Sequence, residues 1–352
     1  MKKGIKKRVL VMVGVFLFSG VAFADSWSNI NQPVSRPENW IKLVETSPFS
    51  LGETKEITVE NLALTEMSYG TYPSIDGSTV AVPMAMEFAR QHLPLNDNDI
   101  EGFVSFSTTH GAYEHLIGRQ ANIASQLPFQ KVIMSQNHPV DLMIGTPPSE
   151  DELALAKEQG VTLVKEPVCL DAFVFIVHKD NPVEKLTVEQ VQKIYSGEID
   201  SWAELGGEDL PIQAFQRERN SGSQTAMEEF VMKGVALKPE ESFVVTTMGG
   251  LVEAIGTYQN NSQSIGYTYK YYIDTLYQND DIKTIAVEGV PPTAQNLRNG
   301  SYPFITPYYG VIRQGEEEGT GGLFLTWMLS REGQKCIAQA GYTPVMNIEQ
   351  TP

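Results

Sequence analysis

Thiols and imidazoles are scarce in this chain. Cys169 and Cys336 are its two cysteines, and its five histidines, His92, His110, His115, His138 and His178, fall without metal-ligand spacing. No zinc or other metal centre is expected, and no cofactor. The G-x-S-x-G elbow and the Walker-type P-loop are both missing, and no histidine is obviously recruited to a candidate serine, so nothing calls for catalysis. No apolar run reaches the roughly 20 residues that a membrane span needs. Positive charge is short too: 26 Lys and Arg stand against 43 Asp and Glu, a net charge of -17. Nucleic acid and anionic membranes, which call for basic patches, are therefore excluded as expected partners. A monomer is the expected state.

What is present is enough for two ordinary domains: 352 residues, 41% of them hydrophobic. The chain opens with a basic stretch, Met1 to Arg8, followed by an apolar run from Val9 to Phe18 and the small-x-small pattern Ala22-Phe23-Ala24. That is the layout of a secretory signal peptide, residues 1–24, cut after Ala24. No cysteine neighbours the cut, so no lipid anchor is expected, and the protein should be periplasmic, extracellular or on the cell surface. Cleavage removes five positive charges and no negative one, taking -17 to -22. Any bound anion must then be held by local donors against the overall field. In an oxidising compartment Cys169 and Cys336 either pair, closing a loop worth at most ~5 kcal/mol, or stay as two buried thiols.

Residues 25–56 carry Trp27, Pro33, Pro37, Trp40 and Pro48 without periodicity and read as an irregular N-terminal extension. From Ile57 strands alternate with helices, which implies an α/β fold with largely parallel sheets. Three strand-to-helix junctions carry hydroxyls and glycine. In the most distinctive, a strand from Leu210 to Phe215 leads into Arg217-Glu-Arg-Asn-Ser-Gly-Ser-Gln-Thr225, and Ala226, Met227, Phe230 and Val231 follow at helical spacing. Ser221 and Gln224 have capping-box spacing, Gly222 admits close backbone approach, and the free N–H groups of a helix start attract an anion. Arg217 adds a planar, two-pronged donor suited to phosphate or carboxylate.

The second junction is Asp76-Gly-Ser-Thr79, after a strand ending near Ile75 and before a helix whose buried face is Val82, Ala85, Met86, Ala89 and Leu93. Pro83 places Ser78 and Thr79 at or just before its start. The third reads Phe103 to Phe106 as a half-buried strand, then Ser107-Thr-Thr-His110, then a helix. Singly, each hydroxyl is more often a plain N-cap than a ligand contact. Three together suggest convergence on one anion beyond the carboxyl ends of the strands. A fourth junction, Gly145-Thr-Pro-Pro-Ser149, leads into Glu150-Asp-Glu152. Thr146 is allowed a ligand contact. Ser149 to Glu152 read as a capping box in a first turn too acidic for an anion. A single closing helix runs through Trp327 towards Gly341.

The stretch Asn181-Pro-Val-Glu-Lys-Leu-Thr-Val-Glu-Gln-Val-Gln-Lys-Ile-Tyr-Ser-Gly-Glu-Ile-Asp-Ser-Trp-Ala-Glu-Leu-Gly-Gly207 resembles the signature of the phosphate-binding proteins of bacterial ABC importers, as does Arg217 to Thr225. Asp76 to Thr79, Ile265 to Tyr267, Glu332 to Gln334 and Gly341 to Pro344 extend the resemblance. It implies a two-lobed type II periplasmic-binding fold, with residues 172–178 and 304–311 as crossover hinge strands. The lobes would be 57–176 plus 303–352, and 177–302. It further implies an inorganic phosphate ligand held by Ser78 and Thr79, by Ser107 or Thr108, and by Arg217, Ser221, Gly222 and Ser223, with delivery to ABC permease membrane subunits. Proteins of this family place an aspartate after the strand that ends here at Gly145, to accept the proton of hydrogen phosphate and reject sulfate. Here that position reads Thr146-Pro147, so an acceptor has to come from Asp76 or elsewhere. The alternatives are a receptor for sulfate or another oxyanion that reports to a membrane sensor, a secreted surface protein and, least favoured, a phosphatase acting through Ser221 or Thr79.

Overall fold

A computed structural model describes residues 72–121, 139–239, 244–257 and 261–345. The expected signal peptide, the extension 25–56 and His138 lie outside them. The organising element is a 16-residue strand, β3 (Leu163–His178), whose second half is buried on both faces, Ala172 to Val177 having no exposed surface. Such a continuous apolar run can pair and pack in every direction. Along its first half it pairs antiparallel with β11 (Ile305–Arg313), from Ile305 opposite Ala172 to Arg313 opposite Leu163. Beyond that point it pairs with β8 (Ser264–Tyr269) and β9 (Ile282–Thr284).

The resulting eight-stranded sheet runs β1 (Ile75–Gly77), β2 (Leu142–Gly145), β11, β3, β8, β5 (Gln213–Ala214), with β9 and β12 (Thr343–Pro344) also on β3. Two small sheets stand apart: β4 (Lys185–Leu186) with β10 (Ala286–Val287), and β6 (Gln216–Arg217) with β7 (Val244–Val245). The β1–β2 and β5–β8 pairs are parallel, while the β3 pairs are antiparallel. The sheet is thus mixed.

Helices cover the sheet, though the buried face of the first is shifted from the expected one: Val82 and Met86 are half-buried, and Met84, Phe88 and His92 turn inward instead. Helix α1 (Val82–His92), with Pro83 in its first turn, buries Met84, Ala85, Phe88, Ala89 and His92. Its Phe88 meets Phe324 and Trp327 edge-on, at centroid distances of 5.6 and 5.3 Å. Further along, α5 (Val188–Ser196) starts on the Thr187–Gln190 capping box and ends at left-handed Gly197. Between them lie α2 (Asp97–Phe103), α3 (Thr108–Ile117) and α4 (Glu150–Glu158). The Ser149–Glu152 capping box of α4 forms in full.

Three local expectations change. Phe103 to Phe106 is not a strand: Asn96 accepts from Asp99 N at 3.0 Å and caps α2 through Phe103, so the following residues are irregular. The expected strand Leu210 to Phe215 shrinks to β5 (Gln213–Ala214), and the chain then enters a different sheet at β6 (Gln216–Arg217). The closing helix is two, Thr320–Met328 and Arg331–Gln339, because Ser330 caps the second through Gly333 N. The cysteines are settled as free, buried thiols: Cys169 lies in β3 beside Asp171 and Tyr342, whereas Cys336 lies in the last helix near Glu87 and Arg90.

Asp171 sits where the chain passes between the pairing halves of β3. Its Oδ1 accepts from Ala172 N (2.7 Å) and Tyr271 N (3.1 Å), and its Oδ2 from Tyr308 OH (2.8 Å), so one carboxylate ties β3, β11 and the segment after β8. Burial pushes its pKa up from 3.8 to about 6, against the pull of those hydrogen bonds. Between those values the folded chain holds a proton that the unfolded chain has released, so stability falls as pH rises through that window. Asp171→Asn removes this dependence. Relative to the wild type, it should gain up to about 3 kcal/mol in urea unfolding between pH 4 and pH 8; a difference that stays constant with pH would contradict it.

Candidate functional site

Arg217 ends β6, and only 7% of its surface is exposed. Its Nε donates to Val245 O (2.9 Å), Nη2 to Thr246 O (2.8 Å) and Nη1 to Ser223 Oγ (3.1 Å). All three partners are neutral. Among the described residues no carboxylate pairs with it, and two of its five N–H donors are left over. Burial pulls its pKa down from the usual value. A buried cation without a counter-charge is costly, which makes this place a seat for an anion.

The loop after Arg217 is braced from below. Arg217 N donates to Gln224 Oε1 (3.2 Å) and Tyr267 OH (3.0 Å), and the Tyr267 hydroxyl also reaches Gln224 Oε1. The expected Ser221–Gln224 capping box therefore forms by half. Ser221 Oγ accepts from Gln224 N at 3.2 Å, but the Gln224 amide turns to the strands and Ser221 N goes to Glu218 O. Helix α6 (Gly222–Ala226) runs straight into a π-helical segment, Met227–Met232. Its first intrahelical bond is Thr225 N to Ser221 O, so the N–H groups of Gly222 and Ser223 precede the ladder.

Opposite stands a carboxylate hub. Asp76 Oδ1 accepts from Gly77 N (2.7 Å) and Ser107 N (2.8 Å); Oδ2 accepts from Ser107 Oγ and lies 2.9 Å from His115 Nδ1. Fully buried, the carboxylate takes three protein donors and has the His115 ring nitrogen beside it. Asp76 thus locks the β1 turn to the start of α3 and is engaged by its own neighbours. The Ser107 hydroxyl is likewise turned to Asp76. Thr108 takes a left-handed φ of 74° and is exposed.

The hydroxyls that do converge are Thr146 and one that sequence reasoning passed over, Thr109. A Cβ placed on Gly222 would lie 2.5 Å from Thr146 Oγ1 and 2.7 Å from Thr109 Oγ1, so glycine is what lets the two sides meet. Thr146 is 1% exposed, its carbonyl accepts from Tyr113 OH at 2.8 Å, and its hydroxyl has no hydrogen-bond partner among the described residues. Ser78 is buried with no capping bond from its side chain, and Thr79 is exposed. Thr109 was legible only as the third hydroxyl of Ser107-Thr-Thr109, one helical step too far for the N-cap. Among the described residues no cluster of side chains could hold a metal ion, and no helix is long and apolar enough to cross a membrane.

A mixed sheet sharing one long strand, with donors gathered between two sets of loops around an unpaired cation, defines a solute-binding architecture. A family model described as a PBP superfamily domain matches residues 134–332, and the chain belongs to that superfamily. The chain is 28% identical over 207 residues to the phosphate-binding protein PstS of Bacillus subtilis (strain 168), covering 58% of this chain and 65% of that one. It is 28% identical over 213 residues to PstS of Pseudomonas aeruginosa strain PAO1, covering 54% and 63%. The chain thus spans just under two thirds of those relatives. Among solved structures it resembles a putative phosphate ABC transporter substrate-binding protein with bound phosphate from Clostridium perfringens, at a TM-score of 0.56 and 25% identity over 78% of this chain and all of that one. An ABC-type phosphate transport receptor from Vibrio cholerae shares the fold, with a TM-score of 0.52, 21% identity, and coverage of 77% and 99%.

The hub predicts its own importance. Asp76→Ala leaves the Gly77 and Ser107 donors buried and unsatisfied and should lower unfolding free energy by about 2–4 kcal/mol. Asp76→Asn, which keeps an acceptor oxygen, should recover part of that in urea titration. An Asp76→Ala variant as stable as the wild type would show the hub to be dispensable.

Proposed function

We propose that the protein is an exported solute-binding protein that captures inorganic phosphate and delivers it to an ABC permease. The observation that carries this reading is Arg217, a buried guanidinium with neutral partners and two donors to spare. A tetrahedral oxyanion supplies the missing charge and accepts from several directions at once. Arg217, the hydroxyls of Thr109, Thr146 and Ser223, and the first N–H groups of α6 replace its hydration shell. Ser78 and Ser221 flank that set. Two lobes, joined through β3 and β11, would close over the anion and open to release it. The similarity to proteins named as phosphate-binding supports phosphate as the ligand. No step in this reading breaks a covalent bond, and Ser221 is occupied in capping its helix.

One observation favours a broader ligand. With Asp76 engaged by its own neighbours and Thr146 where a carboxylate would select for a protonated anion, the seat offers donors and hydroxyls, which suit sulfate as well as phosphate.

Calorimetric titration of the protein, freed of bound anion by unfolding and refolding, tests both points. Phosphate should bind with a Kd in the micromolar range or below, and Arg217→Ala should lose about 3 kcal/mol or more, with Arg217→Lys in between. Silence towards phosphate, or an unimpaired Arg217→Ala, would remove the reading. Sulfate should bind within about tenfold of phosphate at pH 8, since no free carboxylate penalises it. A discrimination of a thousandfold or more would reveal an acceptor that the Asp76 hub does not supply.

A further inference from the structure

Asp151 is the second residue of α4, whose cap is already complete without it: Ser149 N donates to Glu152 Oε2 at 2.7 Å, and Glu152 also meets His110 Nδ1 at 2.9 Å. The Asp151 carboxylate is free to face the loop that follows Arg217. Arg219 Nη2 donates to its Oδ1 at 2.6 Å, and Asn220 Nδ2 to its Oδ2 at 3.0 Å. Each carboxylate oxygen takes one donor, from consecutive residues 68 and 69 positions along the chain. The hydrogen bond from Asn220, then the nearby Arg219 charge, hold the Asp151 carboxyl below the usual range. Asn220 itself adopts a left-handed φ of 65° directly before Ser221, the N-cap of α6.

Two consequences follow from the placement. The bridge fixes the side chain of the one residue whose unusual backbone sets how Ser221, Gly222 and Ser223 are presented. It also joins the segment bearing Thr146 to the segment bearing Arg217, on the outer side of the seat, where Asp151 and Arg219 keep 41% and 76% of their side-chain surface in solvent. A contact of that kind touches no ligand and resists separation of the two donor sets.

We propose that Asp151, Arg219 and Asn220 form a clasp: Asp151 is a positioning residue that holds the anion loop in register and slows release of the bound anion. This rests on the solute-binding reading for its kinetic consequence, though not for its structural one. An exposed two-bond clasp has a modest effect, so its loss should raise the release rate about three- to tenfold and leave the association rate nearly unchanged. Because the contact is solvent-facing, it should weaken with salt.

The test uses Asp151→Asn, Arg219→Ala and the double variant in the full chain. Hydrogen exchange of amides 218–224, followed by mass spectrometry without ligand, should quicken in each single variant, and no further in the double one. Unchanged exchange overturns the clasp, whatever the ligand is. Release of radiolabelled phosphate into excess unlabelled phosphate should speed up in both single variants without adding in the double, and added sodium chloride should accelerate the wild type more than Asp151→Asn. Equal salt dependence, or additive effects of the two substitutions, overturns it as well. If the wild type binds no phosphate, the proposed ligand falls and the exchange arm alone decides the clasp.

Discussion

A guanidinium placed out of water among neutral acceptors is the constraint around which the site is arranged. Arg217 keeps its hydrogen bonds to Val245, Thr246 and Ser223, yet none of them carries the opposite charge. Holding a cation in such a place needs rigid support. Gln224 and Tyr267 supply it by fixing the Arg217 backbone, and the fully buried β8 strand carries Tyr267. The energetic deficit left at Arg217 is the affinity available to an anion. An overall charge of -17 then works to keep anions away from the rest of the surface while the seat remains attractive at short range.

Asp76 plays the opposite part on the facing side. It is a buried carboxylate held by donors of its own neighbourhood, so it builds structure where Arg217 awaits a partner. The difference between the two residues is one of satisfaction: the filled acceptor is scaffold, and the unfilled donor is site. Gly222 links them, since any side chain there would collide with Thr109 and Thr146.

Much of this was legible in the chain. The Arg217 to Thr225 loop and the Ser149–Glu152 capping box rest on local chemistry, and the structure has them. What sequence could not reach was the direction of side chains once distant segments met. Ser107 and Asp76 looked like ligand contacts because hydroxyls and carboxylates near helix starts often are, but they satisfy one another across 31 residues. Thr109 was hidden by its two hydroxyl neighbours. Asp151 was read as part of a cap, and its actual partners, Arg219 and Asn220, lie on another element. The Phe103 to Phe106 strand failed for a local reason, a stronger cap at Asn96 than the alternation could oppose.

The most direct measurement is an anomalous difference map from crystals grown with arsenate, a heavier tetrahedral oxyanion of phosphate's shape and charge. The account predicts a single strong arsenic peak within hydrogen-bond reach of the Arg217 guanidinium and the Thr146 hydroxyl, beside Gly222. A map with no peak there, or with its principal peak elsewhere on the protein, would contradict the claim that an oxyanion completes Arg217.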